Sequence, residues 1–297
     1  MKVLNFGSLN IDYTYRLDHI VKPGETTSSK KLEIFPGGKG LNQSIALAKA
    51  GLDVYHAGMI GKDGAFLREI CQSNGVHTSY IKEVDEATGN AVIQVSDDGQ
   101  NSIILFAGAN RKLTENYIDK VLEQFEHGDI LLLQNEVNML DYLIDQGKKR
   151  GMKIVLNPSP YDRNIERCDL RKVDLFFVNE VEAGQITGKS RAEEMLWIMR
   201  EMYPESGIVL TLGDKGAYYS DRTITYYQEA FKVDAIDTTA AGDTFTGYFL
   251  ASYINDQSGK KALMKAAVAS SMAVERKGAA VSIPCKEEVE IRLQTIE

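Results

Sequence analysis

The sequence predicts an α/β protein, with a parallel sheet covered by helices on both faces and a smaller sheet set apart from it. Three observations predict this. From residue 114 onward, short apolar runs alternate with amphipathic stretches at a steady rhythm, as strands joined by crossover helices do. Polar residues stand just beyond those apolar runs, where open α/β sheets bind ligands. Earlier, the run Asp97-Asp98-Gly99-Gln100-Asn101 separates two strand-like segments and reads as a hairpin that interrupts the alternation.

Taken in order, Val3–Phe6 is a first strand leading into Gly7-Ser8-Leu9-Asn10-Ile11-Asp12. In extended chain Asn10 and Asp12 share a face, and an amide beside a carboxylate suits the hydroxyls of a polyol. An ordinary strand-end turn would carry the same residues. Residues 13–34 are polar and extended, with a turn at Pro23-Gly24. Phe35-Pro36-Gly37-Gly38-Lys39-Gly40-Leu41-Asn42-Gln43-Ser44 follows, then a helix over 45–50 closed by Gly51. The glycines admit a ligand close to the backbone and Lys39 adds a cation. The spacing is not that of a P-loop, and a mobile surface loop is the competing reading.

Val54–Ile60 is a strand and 64–74 a helix ended by Gly75. Segments 91–96 and 102–106 flank the hairpin turn. Helices over 114–126 and 139–150 alternate with strands at Ile130–Gln134, 154–156, 175–178 and 208–212. Glu136, Asn179, Glu182, Thr211, Gly213 and Asp243 fall beyond strand ends or at a turn into a helix. The most informative stretch is Asp237-Thr238-Thr239-Ala240-Ala241-Gly242-Asp243-Thr244-Phe245. Residues 231–235 before it read as extended and 245–253 after it as a helix. A small-residue turn opening into a helix is a candidate phosphate cradle. Asp243 at its mouth is a candidate base for a hydroxyl, or simply a helix N-cap.

The 297 residues, 43% hydrophobic, can bury a large core. A net charge of −8 disfavours a nucleic-acid surface, and no apolar run is long enough to span a bilayer. Cys71, Cys168 and Cys285 are dispersed, which argues for free thiols in a reducing cytoplasm rather than disulfides or zinc. His19, His56, His77 and His127 show no ligand spacing. Trp197, Met195 and Met199 read as helix packing, and the small residues of a helix over 260–276 read as close packing between helices.

With Gly37-Gly38-Lys39-Gly40 and Asn42, Asn179-Glu180-Val181-Glu182, Thr211-Leu212-Gly213 with Gly216, and 237–243 in this order, the chain resembles the ribokinase-like (phosphofructokinase B) family of carbohydrate kinases over essentially its whole length. The resemblance implies one doubly wound α/β domain over 1–297, with a β-sheet lid from about 10–35 and 91–108. It implies Asp243 as catalytic base and Ala240, Ala241 and Gly242 as an anion hole. Sugar contacts would be Asn10, Asp12, Gly38, Lys39, Asn42, Glu136 and Asp243. ATP would meet Asn179, Thr211, Leu212, Gly213, Asp214, Lys215, Gly216 and Gly242. Glu182 would act indirectly on Mg2+. K+ would lie by Asp237, Thr239, Ala273, Arg276, Gly278 and Ser282, several through backbone carbonyls. Leu41 and Ala267 depart from the family's usual residues beside the sugar and the adenine.

The implied reaction is transfer of the ATP γ-phosphate to the 5-hydroxyl of D-ribose, in a cytoplasmic homodimer paired through the lid, with no nucleic-acid or membrane partner. Rival readings are a kinase for another furanose, of nucleoside or fructose type, and a sugar-sensing homologue without turnover.

Overall fold

The computed structural model describes residues 1–296. In chain order the first elements are β1 (Val3–Phe6), β2 (Asn10–Leu17), β3 (Lys31–Gly37), α1 (Lys39–Lys49), β4 (Val54–Ile60), α2 (Ala65–Ser73) and β5 (His77–Glu83). Next come β6 (Gly89–Ser96), β7 (Asn101–Phe106), α3 (Glu115–Leu122), β8 (Ile130–Gln134), α4 (Leu140–Lys149) and β9 (Lys153–Asn157). The chain continues through β10 (Leu175–Asn179), α5 (Glu180–Thr187), α6 (Ala192–Met202), β11 (Gly207–Thr211), β12 (Ala217–Ser220) and β13 (Thr225–Gln228). It ends with α7 (Ala241–Asp256), α8 (Gly259–Val274) and α9 (Lys286–Gln294).

The large sheet runs β13-β12-β11-β10-β9-β8-β1-β4-β5. It is parallel from β11 to β5 and antiparallel only at β11-β12-β13. β1 is central, so the chain builds outward on one side and later returns to the other. The crevice between the carboxyl ends of β1 and β8 is therefore the switch point where such sheets bind ligands.

Both faces are covered, and the strands show it residue by residue. Val3, Ile130, Leu132, Phe177 and Val209 belong to one buried cluster, with α7 and α8. Their neighbours Leu4, Leu131, Leu133, Phe176 and Leu210 belong to the other, with α3, α4 and α6. A period of two with both phases apolar is the signature of a doubly covered sheet.

The small sheet, β3-β2-β6-β7, is separate, as the hairpin signal predicts. Several elements are not predicted from the sequence, α5 among them. β5 buries only Ile81, β13 buries nothing and α9 buries only Val289, so none carries a full apolar pattern. The antiparallel β12 escaped because a short strand beside β11 breaks the strand–helix rhythm.

α1 begins at Lys39, six residues before the predicted start. Its one glycine, Gly40, is demanded by tertiary contact: a Cβ there would lie 2.4 Å from the Ser8 nitrogen and 2.5 Å from the Gly7 Cα. Trp197 is a further correction, since it is 65% exposed while Met195 and Met199 are buried. On the α-helix they are not one stripe: positions 195 and 199 share a face, and 197 points away.

Candidate active site

Three backbone crossings build the site. β1 ends at Phe6, and Ser8 then meets the start of α1, where the Leu41 N–H donates to the Ser8 carbonyl at 2.9 Å. Gly38 precedes the helix with φ +95°, a left-handed conformation that glycine adopts without strain. β8 ends at Gln134, which sends Glu136 into the same crevice. Glu136 Oε2 accepts from the Ser8 hydroxyl and, at 3.0 Å, from the Lys39 N–H. α7 begins at Ala241 and presents Asp243 in its first turn.

Asp243 is 7% exposed. Its Oδ2 accepts from Asn42 Nδ2 at 3.1 Å and its Oδ1 from Gln43 Nε2 at 2.9 Å. Lys39 faces Asp243, Glu136 and Glu182. Burial works against its charge, but the three carboxylates hold its pKa above the ordinary lysine value. Glu136 is pushed upward by burial, against the pull of Lys39 and Ser8. Asp12 is raised to about 7 by burial and by the charge on Glu136.

Asn10 is buried, with Oδ1 accepting from Asn110 Nδ2 at 2.7 Å. Gly37 lets the Asp12 carboxylate lie over it, because a Cβ there would come within 2.1 Å of Oδ2. Asn10, Asp12, Gly38, Lys39, Asn42 and Glu136 thus come together from β2, the junction of β3 and α1, α1 itself and the segment just after β8.

A cleft of about 260 Å³ adjoins this cluster, lined by Lys39, Asn157, Ser159, Phe177, Val178, Asn179, Glu182, Thr211, Thr238, Ala240, Gly242, Asp243 and Thr246. Gly242 faces open space, with nothing within 4 Å of an added Cβ. Ala240 is held left-handed at φ 60°. Ala241 is not in the lining, and its N–H donates to the Thr238 carbonyl at 3.2 Å. Of the expected nucleotide residues, Asn179, Thr211 and Gly242 line the cleft. Leu212 is buried behind it, and the tight turn of Gly213, Asp214, Lys215 and Gly216 lies outside the lining.

Asn179 and Glu182 also form a capping box for α5. Asn179 Oδ1 accepts from the Val181 and Glu182 N–H groups at 2.8 and 3.0 Å, and Glu182 Oε2 accepts from the Asn179 N–H at 2.9 Å. Ser159, Thr238 and Thr246 were not singled out in the sequence, nor was Gln43. Such hydroxyls and amides are too common in sequence to signal a site.

Asp237 stands beside the α7 turn. Its Oδ1 accepts from the Thr239 N–H and hydroxyl at 2.9 and 2.6 Å, and its Oδ2 from the Gly278 N–H at 2.9 Å. Burial opposes its charge, yet these donors hold its pKa below the usual carboxylate value. Ser282 donates to the Ala279 carbonyl at 2.7 Å. The Arg276 guanidinium turns away to Glu288 at 2.6 and 3.3 Å, leaving only its backbone for an ion. Ala273 is fully buried at the end of α8. Among the described residues no three His, Cys, Asp or Glu side chains gather as a metal site, and no helix is long and apolar enough to cross a membrane.

The chain matches the family described as pfkB family carbohydrate kinase over residues 1–286. It is 35% identical over 291 residues to a ribokinase of Haemophilus influenzae, covering 95% of each chain. It is 31% identical over 298 residues to a deoxyribokinase of Salmonella typhi, covering 97% of each. Among solved structures it resembles an Arabidopsis thaliana ribokinase complexed with ribose and ATP. That similarity has a TM-score of 0.86 and 29% identity, and covers 99% of this chain and 98% of the other. With motifs, sheet order and cleft in agreement, the chain belongs to the pfkB family of carbohydrate kinases.

Proposed function

We propose that this kinase transfers the γ-phosphoryl group of ATP to the 5-hydroxyl of D-ribose, with Asp243 as the base. The observation that carries the reading is the position of Asp243. It is buried at the mouth of α7, between a polyol-matched cluster (Asn10, Asp12, Gly38, Asn42, Glu136) and a cleft rimmed by Ala240, Gly242, Asn179, Glu182 and Thr211. The similarity to ribokinases supports the choice of sugar.

An aliphatic hydroxyl is too weak an acid to be ionised beforehand by a carboxylate. Asp243 orients the hydroxyl and accepts its proton late, as the O–P bond forms and the bond to ADP breaks. Positioning and charge neutralisation supply most of the acceleration. The N–H groups of Gly242 and Asp243, in the first turn of α7, meet the phosphoryl oxygens, and Lys39 spans the sugar and phosphate ends with its cation.

Magnesium, when bound, would neutralise phosphate charge, and the Glu182 carboxylate on the cleft is a hard oxygen group that would hold it indirectly. The ionised Asp237 and the carbonyls around Thr239, Ala273, Arg276 and Gly278, with Ser282, fit a monovalent cation such as potassium.

The small sheet acts as a lid of a single domain. Its exposed apolar residues Leu32, Ile34, Ile103, Ile104, Leu105 and Phe106 support pairing with a second copy. An ATP-dependent reaction of this kind fits a cytoplasmic location. The similarity to a deoxyribokinase favours one second reading, 2-deoxyribose as acceptor.

A coupled ADP-release assay across ribose, 2-deoxyribose, fructose and nucleosides, with and without potassium, tests the substrate. Asp243→Asn should lose about 10²–10⁴-fold in turnover while staying folded. Near-normal turnover in that variant removes Asp243 from the chemistry, and sugar binding with no ADP from any acceptor removes the kinase reading.

A further inference from the structure

Behind Asp243 lies a buried polar chain whose one hydrogen bond to the cleft lining is the one it makes to Asp243. Gln43 Nε2 donates to Asp243 Oδ1 at 2.9 Å, and Gln43 Oε1 accepts from Gln134 Nε2 at 2.7 Å. Gln134 Nε2 also donates to Asn5 Oδ1 at 3.0 Å. Asn5 Nδ2 donates to Ser44 Oγ at 2.8 Å, Ser44 Oγ meets His56 Nδ1 at 2.8 Å, and His56 Nε2 meets the Gly7 carbonyl at 3.2 Å. Gln43, Gln134, Asn5, Ser44 and His56 are all fully buried.

We propose that Gln43, locked by Gln134, is a positioning residue that aims the Asp243 carboxylate at the acceptor hydroxyl. The proposal rests on the reading of Asp243 as base.

The direction of every bond in the chain is fixed. A carbonyl only accepts, so His56 carries its proton on Nε2. Its bare Nδ1 then accepts from the Ser44 hydroxyl, whose oxygen accepts from Asn5. An ionised Asp243 also only accepts. Both ends of the chain are therefore acceptors, and one group must donate both ways. That group is the Gln134 amide, whose two N–H bonds point outward to Gln43 and to Asn5.

This orientation leaves Gln134 Oε1 buried with no partner. Turning the Gln134 amide over would set its oxygen against two acceptors, Gln43 Oε1 and Asn5 Oδ1. Turning Gln43 over would set Oε1 against Asp243. Neither amide can rotate, so the N–H presented to Asp243 stays in place when sugar enters and leaves. Burial holds the His56 pKa down at about 4, against the hydrogen bond to Gly7 that favours its protonated form. The chain thus keeps its neutral, directional form through the working pH range.

The test uses the full chain with Gln43→Met, Gln43→Glu, Gln134→Glu and Asp243→Asn, measuring kcat, KM for the sugar and the unfolding midpoint. Gln43→Met keeps the volume and loses the donor. Gln134→Glu replaces the double donor by an acceptor at a site remote from the substrate. Each should lower kcat roughly 10–100-fold with KM for the sugar within about threefold. Gln43→Glu, which sets a second carboxyl against Asp243 Oδ1 in place of the amide donor, should lower kcat furthest.

Variants that fold yet keep the wild-type kcat overturn the proposal. A purely structural role would lower the unfolding midpoint and leave kcat of the folded enzyme at the wild-type value. If the glutamate variants do not fold, Gln43→Met alone decides. Full turnover in Asp243→Asn would instead refute the base. Loss there with unchanged Gln43→Met refutes only the positioning.

Discussion

Asp12 offers a prediction whose size and sign both follow from its surroundings. It sits on β2 between Phe35 of β3 and Ala91 of β6, against Gly37 and near Glu136. Burial first, and the Glu136 charge second, raise its pKa from 3.8 to about 7. A carboxyl that is harder to ionise in the folded chain than in the unfolded chain favours folding while protonated. That contribution is complete below 3.8 and is lost as pH rises through about 7. A shift of about three units at 1.36 kcal/mol each corresponds to roughly 4 kcal/mol as an upper bound.

Asp12→Asn keeps the shape and removes the charge. In sugar-free urea unfolding, the variant should gain on the wild type by about 2–4 kcal/mol between about pH 5 and about pH 8. If the two stability curves run parallel across that window, Asp12 ionises in the folded chain as easily as in water, and the electrostatic argument is wrong.

Other expectations are simpler. Phe249 is fully buried on α7, the helix that carries Asp243, where it stacks with Phe245 and Tyr253 and meets Phe177 edge-on and Tyr219 at a tilt. Phe249→Ala should cost about 3–5 kcal/mol by denaturant unfolding, and a loss under about 1 kcal/mol would contradict that packing. Ala240→Gly relieves a left-handed alanine at φ 60° and should stabilise the chain by about 1 kcal/mol in thermal unfolding; a loss of stability would contradict the strain. Asn179→Ala removes the α5 cap and should cost about 1 kcal/mol even without nucleotide, whereas a residue serving ligand alone would cost nothing there. Trp197→Ser, at an exposed site, should change stability by under about 0.5 kcal/mol, and a larger loss would restore the packing role.

Some of the site was readable because its chemistry is written in neighbouring residues. The run 237–243 contains both the small-residue turn and its carboxylate, and the end of β8 places Glu136 two residues beyond an apolar strand. Other elements were unreadable for physical reasons. The glycine-rich start of α1 resembles a loop until Gly7 and Ser8 are packed against Gly40. Asn179 and Glu182 read as ligand residues, and their bonds to the α5 N–H groups emerge only once the helix is in place.

The amino-acid order determined which segments could bury both faces, one face or none, and so the doubly covered sheet, because burial of alternating apolar residues is a local demand. It also placed the polar strand ends and the turn before Asp243. The tertiary structure alone decided what surrounds that carboxylate. Asn5, Gln43, Ser44, His56 and Gln134 are dispersed along the chain and meet only when α1 packs across β1, β4 and β8. Hydrogen-bond direction depends on all partners at once, so no stretch of sequence taken singly contains it.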